Sequence, residues 1–185
     1  CNNLFLTDWD ETDFGELDFY DLFDVFYPQI YHRKIPWQSG ENAGNSTVYG
    51  IPSKEFESVI QKFLNVKTDI LRKKTIYREK DDTYEYYPRG FYESEYPEHP
   101  YPEVTAFQEN DDGTVTLTVH AVFPYLGSSR ALVHEVTVRP MENAAAAVRY
   151  VFNKIISSLD DPDDNWYVPR LSGEERSLLY EENTD

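Results

Sequence analysis

Residues 114–123 read Thr-Val-Thr-Leu-Thr-Val-His-Ala-Val-Phe, a strict two-residue alternation. Val115, Leu117, Val119, Ala121 and Phe123 share one face of an extended chain, with Thr114, Thr116, Thr118 and His120 on the other. Immediately before it, Asn110-Asp111-Asp112-Gly113 is a hairpin signal, because Gly tolerates the positive φ of tight turns. Working outward, Val104–Gln108 becomes the preceding strand. Pro124–Ser129 turns the chain into a third strand at Ala131–Arg139, and Val148–Ile156 forms a fourth. The third connection is odd: Ala144–Ala147 are four alanines, which favour helix where a hairpin should carry Gly or Asn.

Upstream, Phe56, Val59, Ile60, Phe63 and Leu64 fall on one helical face, with Ser53 as N-cap and Glu55 in the first turn. A shorter companion helix follows over Asp69–Lys74. The predicted fold is therefore α+β: one long and one short helix packed on a curved four-stranded antiparallel meander, behind an irregular N-terminal segment. The whole chain reads as a single domain. Residues 1–50 wrap it, 51–157 form the core, and 158–185 are an acidic tail with a short helix announced by the capping box Ser172-x-x-Glu175. Within the wrap, Asn3–Thr7 suits a short strand, and Glu16–Tyr27 suits an amphipathic helix stopped by Pro28. Between Thr75 and Pro102, eight aromatic residues alternate with charges and four prolines. That composition predicts a long loop or flap laid on the body by its rings.

Composition narrows function by exclusion. The 185 residues carry 17 basic and 34 acidic side chains, a net charge of −17. Phosphate recognition needs concentrated Lys and Arg, so nucleic acid is not an expected partner. No stretch approaches 18 apolar residues, and one Cys cannot make an internal disulfide. With 40% hydrophobic and 16% aromatic residues, the chain can build a core.

The stretches YGIPSKEFESVIQKFL (49–64), PYPEVTAFQENDDGTVTLTVHAVFP (100–124) and HEVTVRP with RYVFNKI (134–140, 149–155) carry a resemblance. Over residues 50–157 the pattern resembles an uncharacterised family of secreted or lipoprotein-type proteins from Gram-positive, clostridia-like bacteria. The order of helices and meander is similar to cystatin-like and nuclear-transport-factor-2-like architectures. The resemblance implies an extracytoplasmic location and transfers no functional residue. Cys1 is then a candidate lipidation site, and any membrane contact would come through that anchor.

No catalytic motif stands out: there is no His-Glu-x-x-His, Gly-x-Ser-x-Gly, phosphate-cradling Gly loop or Cys-x-x-Cys. Asp8, Asp10 and Asp13 invite a calcium reading, but from Asp8 the EF-hand positions 5, 6 and 12 are Thr12, Asp13 and Phe19. The Asp160–Asn165 run fits little better, and both read as solvated acidic loops, with an irregular calcium site of loop carboxylates and carbonyls, and calcium-stabilised adhesion, as the other reading. Among the histidines, His134 shares the inward face of its strand with Leu132, Val136 and Val138, so it is either a satisfied core residue or part of a concave pocket. Tyr150 is its candidate companion in the pocket wall. No cofactor and no metal are expected. The expected function is a non-enzymatic extracytoplasmic domain binding a ligand or protein at the cell surface. The alternative is a small enzyme or carrier with a pocket between helix and sheet.

Overall fold

The structure, a computed structural model, describes residues 2–37, 47–93, 99–142, 146–159 and 166–181. Four antiparallel strands form where alternation places them: β5 (Tyr101–Glu109), β6 (Val115–Phe123), β7 (Ser128–Pro140) and β8 (Val148–Ser158). Gly113 at φ 79° makes the hairpin between the first two, and Gly127 at φ 63° the next turn. In the third turn, Met141 N–H donates to Ala147 C=O at 3.0 Å and Ala146 is buried; Ala144 and Ala145 lie outside the described residues.

The predicted architecture needs correction beyond this point. The chain is α+β, but its described residues form four helices and two sheets rather than one long and one short helix on a four-stranded meander. The N-terminal wrap adds a strand, β1 (Trp9–Asp10), which pairs with Phe152 and Asn153 and extends the meander to five strands in the order β1-β8-β7-β6-β5. It also supplies the longest helix, α1 (Phe19–Tyr31). Asp18 caps this helix by accepting from the amides of Tyr20 and Asp21 at 2.9 and 3.0 Å. Pro28 does not end α1: the helix runs a further turn and closes at His32, whose left-handed φ of 51° lets its N–H reach Pro28 C=O. Residues 3–6 form a turn instead of the expected strand.

The aromatic stretch is also ordered differently. The short strands β2 (Tyr49–Pro52), β3 (Tyr77–Arg78) and β4 (Thr83–Tyr86) form a second antiparallel sheet, in the order β2-β4-β3. Strands of two to four residues are too short to display a period, so the pattern in sequence looks like loop. Tyr84 and Tyr86 are buried on this sheet.

Helix α2 (Ser53–Phe63) buries Phe56, Val59, Ile60 and Phe63, the face expected of it, and α3 (Thr68–Lys74) buries Leu71. The main core lies between α1, α2 and the small sheet. Phe56 stacks on Phe23 at 5.1 Å and on Tyr84 at 4.5 Å, while Phe26 stacks on Phe63 at 4.1 Å. The meander has a smaller core of its own around Val119, Val136 and Val138, and Phe5 and Tyr150 pack against both. The far edge strand β5 is exposed along its length, with Pro102 and a bulge between Val104 and Ala106 interrupting its ladder. Helix α4 (Gly173–Glu181) starts at the predicted capping box: Ser172 Oγ donates to Glu175 Oε2 at 2.7 Å, and Glu175 N–H donates to Ser172 Oγ at 3.3 Å.

Candidate functional site

A cleft of about 280 Å³ opens on one face of the five-stranded sheet. Its floor is set by register. Val119 pairs with His134 and Ala121 with Leu132, so these four side chains point the same way. Phe5 and Leu6 from the N-terminal segment, Tyr101 at the start of β5, and Trp166 line its sides. Among the described residues no Asp, Glu, Lys or Arg lines it, although the chain carries 51 such residues.

His134 is 4% exposed and lies under Phe5, their rings stacked at 5.3 Å and 30°. Its Nδ1 is 2.7 Å from Oδ1 of Asn153, which is itself fully buried. The amide nitrogen of Asn153 donates to Thr7 C=O at 2.8 Å. That second bond fixes which end of the amide meets the histidine, so Asn153 presents an acceptor and Nδ1 must carry the proton. In the neutral ring Nε2 is then a bare acceptor, with no hydrogen-bond partner among the described residues. Burial holds the imidazole below its ordinary pKa, outweighing the bond to Asn153, which acts in the other direction.

Tyr150 stands on the other side of Phe5, edge-on to it at 5.5 Å and stacked over Phe26 at 6.4 Å. It faces the main core and does not line the cleft. The two pocket candidates thus share Phe5 as a neighbour without sharing a cavity, and the cleft lies between sheet and N-terminal segment rather than between helix and sheet. Of the other histidines, His99 lines the cleft, His32 ends α1 and His120 is half-buried on β6. Cys1 and the Asp160–Asn165 run lie outside the described residues.

Phe5 and Asn153 escaped the sequence reading. Asn153 had a signal: a lone amide inside the apolar run of β8. A bulge hides its direction. Val138 pairs with Tyr150 and Val136 with Asn153, so the extra residue puts Tyr150 and Asn153, three apart, on the same face.

The acids are occupied elsewhere. Asp21 on α1, fully buried, accepts from Arg89 Nε and Nη2 at 2.9 and 2.6 Å, from Arg170 Nη2 at 2.7 Å and from Tyr167 Oη at 2.8 Å. Its burial would raise the pKa, but the Arg89 hydrogen bonds and the Arg170 charge outweigh it and hold the carboxyl low. Glu93, 1% exposed, takes both oxygens to Arg176 Nη2 at 2.7 Å and accepts from the amides of Gly90 and Leu171. Asp10 accepts from the amides of Thr12 and Asp13 in its own turn, and Asp8 accepts from Ile155 N–H. Among the described residues, no group of three His, Cys, Asp or Glu is placed to hold a metal ion, and no helix is long and apolar enough to cross a membrane.

The sequence pattern of residues 1–170 matches that of a family of unknown function, DUF6070. The chain belongs to that family. Neither a curated protein nor a solved structure matches the chain. The family match takes in the cleft and the Asp21–Arg89–Arg170 cluster, and it ends before Arg176 and α4.

Proposed function

We propose that this DUF6070 chain is a non-enzymatic binding domain that works outside the cytoplasm and holds an uncharged, apolar ligand in the cleft over His134. One observation carries the reading: the most buried polar group of the cleft is oriented by an amide, among apolar walls. A histidine base working in catalysis needs a nucleophile or a second proton carrier within reach. Among the described residues no Ser, Thr, Cys, Lys, Asp or Glu lines this cleft, and the two proton carriers that do, His99 and Tyr101, make no hydrogen bond to His134. The buried carboxylates Asp21 and Glu93 are neutralised by guanidiniums, which suits structural use. Apolar walls with a few polar groups are the usual make-up of a small-ligand site. The extracytoplasmic part rests on the resemblance to secreted proteins and on an acidic composition with a single Cys.

Titration with toluene, followed by methyl NMR, tests the binding reading. Shifts confined to the methyls of Leu6, Val119, Ala121 and Leu132 are expected. Shifts spread over the main core, or none at millimolar toluene, would overturn it.

A further inference from the structure

Resting on that binding reading, we infer that the cleft selects a neutral ring bearing one hydrogen-bond donor, a phenol-like hydroxyl or an indole-like N–H, which donates to Nε2 of His134. Three features converge on this class. Asn153, locked by its bond to Thr7, holds the proton on Nδ1 and so leaves a lone pair on a residue that is only 4% exposed and lines the cleft. A lone pair in that place rejects carbonyls, ethers and oxyanions, whose own lone pairs would face it, and rewards O–H or N–H.

The walls choose the rest of the ligand. Phe5, Tyr101 and Trp166 offer aromatic surface, and Leu6, Ala121 and Leu132 offer aliphatic surface. The volume of about 280 Å³ exceeds the roughly 150 Å³ that suffices for benzene in an apolar cavity, leaving room for a substituted ring. Among the described residues of the lining, a cation finds no carboxylate to compensate its desolvation, and an anion no Arg or Lys. The ring can belong to a free small molecule or to a tyrosine side chain of an extended peptide, since both present the same group.

The test pairs p-cresol with p-xylene, which replaces the hydroxyl by a methyl of nearly equal size. Both are titrated into the wild-type chain and into His134→Phe. The p-cresol to p-xylene affinity ratio is expected to fall about fivefold to tenfold in the variant, the worth of one neutral hydrogen bond. Because His134→Phe strips Asn153 of its partner and can fail to fold, ¹⁵N NMR of the wild-type histidines serves as the second readout. Nε2 of His134 should be the unprotonated nitrogen, and its resonance should move on adding p-cresol but not p-xylene.

A proton on Nε2 in the free protein would overturn the inference. So would cleft binding of both probes with an unmoved Nε2 resonance or an unchanged ratio, although the binding reading would then stand. Failure of toluene, p-cresol and p-xylene alike to perturb the cleft would remove both. A parallel arm with N-acetyltyrosine N-methylamide separates the sources of the ring. Tighter binding than p-cresol supports a polypeptide ligand, weaker binding a free one, and either supports the donor-ring class.

Discussion

The side-chain oxygen of Asn153 sits 2.7 Å from Nδ1 of His134, while the nitrogen of the same amide is committed to Thr7 C=O at 2.8 Å. These two bonds tie β8, β7 and the N-terminal segment together at one point. They also determine which face of the imidazole is basic. An amide used in this way does not titrate, so the arrangement persists across the range in which a carboxylate partner would change charge.

The burial of His134 predicts a pH-dependent stability of definite sign. Its ordinary pKa is 6.5 and burial lowers it in the folded chain, so the unfolded chain binds a proton more readily. Its contribution is complete above pH 6.5 and is lost as pH falls through the folded value. Urea unfolding at pH 7.5 and pH 5.5 should therefore show a larger acid loss for the wild-type chain than for His134→Gln. Equal losses would mean the ring takes its proton without penalty.

At Asp21 the charge is what counts. Asp21→Asn preserves shape and some hydrogen bonding but leaves Arg89 and Arg170, with side chains 15% and 7% exposed, facing an uncharged amide. A loss of about 3–5 kcal/mol is expected in chemical denaturation, the usual cost of removing one partner from a buried ionic cluster. The sign with pH is the same as for His134, and only the range is lower. The folded pKa lies below 3.8, so the contribution is full above that value and disappears as pH falls through the folded one. The acid limb below pH 4 should be flatter in the variant.

Glu93 and Arg176 give a prediction about the C-terminus. A chain ending at Leu171 keeps the amide of Leu171 on Glu93 but loses Arg176, stranding a buried carboxylate. Its melting temperature should drop clearly, and Glu93→Gln in the shortened chain should recover part of the drop. No recovery would show that α4 stabilises through its other contacts.

Phe56 and Phe107 are indistinguishable by residue type, yet one is 0% and the other 70% exposed. Phe56→Ala should cost about 3–5 kcal/mol, since it opens a hole between Phe23 and Tyr84. Phe107→Ala should stay within about 0.5 kcal/mol of wild type. Paired denaturation curves check both at once.

The legible parts of the fold are those whose local period is long enough to register. The alternation of 114–123 and the helical face Phe56–Phe63 each commit a run of residues to one geometry, and the Ser172–Glu175 capping box fixes a helix start by bonds within four residues. His134 was legible as inward-facing for the same reason. Its partner was not, because the bulge that turns Asn153 to the same face as Tyr150 breaks the period on which such a reading depends.

Elsewhere, local pattern carried no such commitment. Trp9 and Asp10 are a strand only because Phe152 and Asn153 offer them a free edge. Tyr84 and Tyr86 are core only because α1 and α2 cover them, and Pro28 is tolerated in a helix whose buried face holds it in place. The Asp21–Arg170 contact spans 149 residues, and the Asn153–Thr7 contact spans 146. Periodicity acts over a few residues along one segment, so this sequence carries within itself the meander, the α2 face and the inward turn of His134. The second sheet, the buried ion pairs and the cleft arise from contacts between distant segments, which take shape only when burial of the whole chain brings them together.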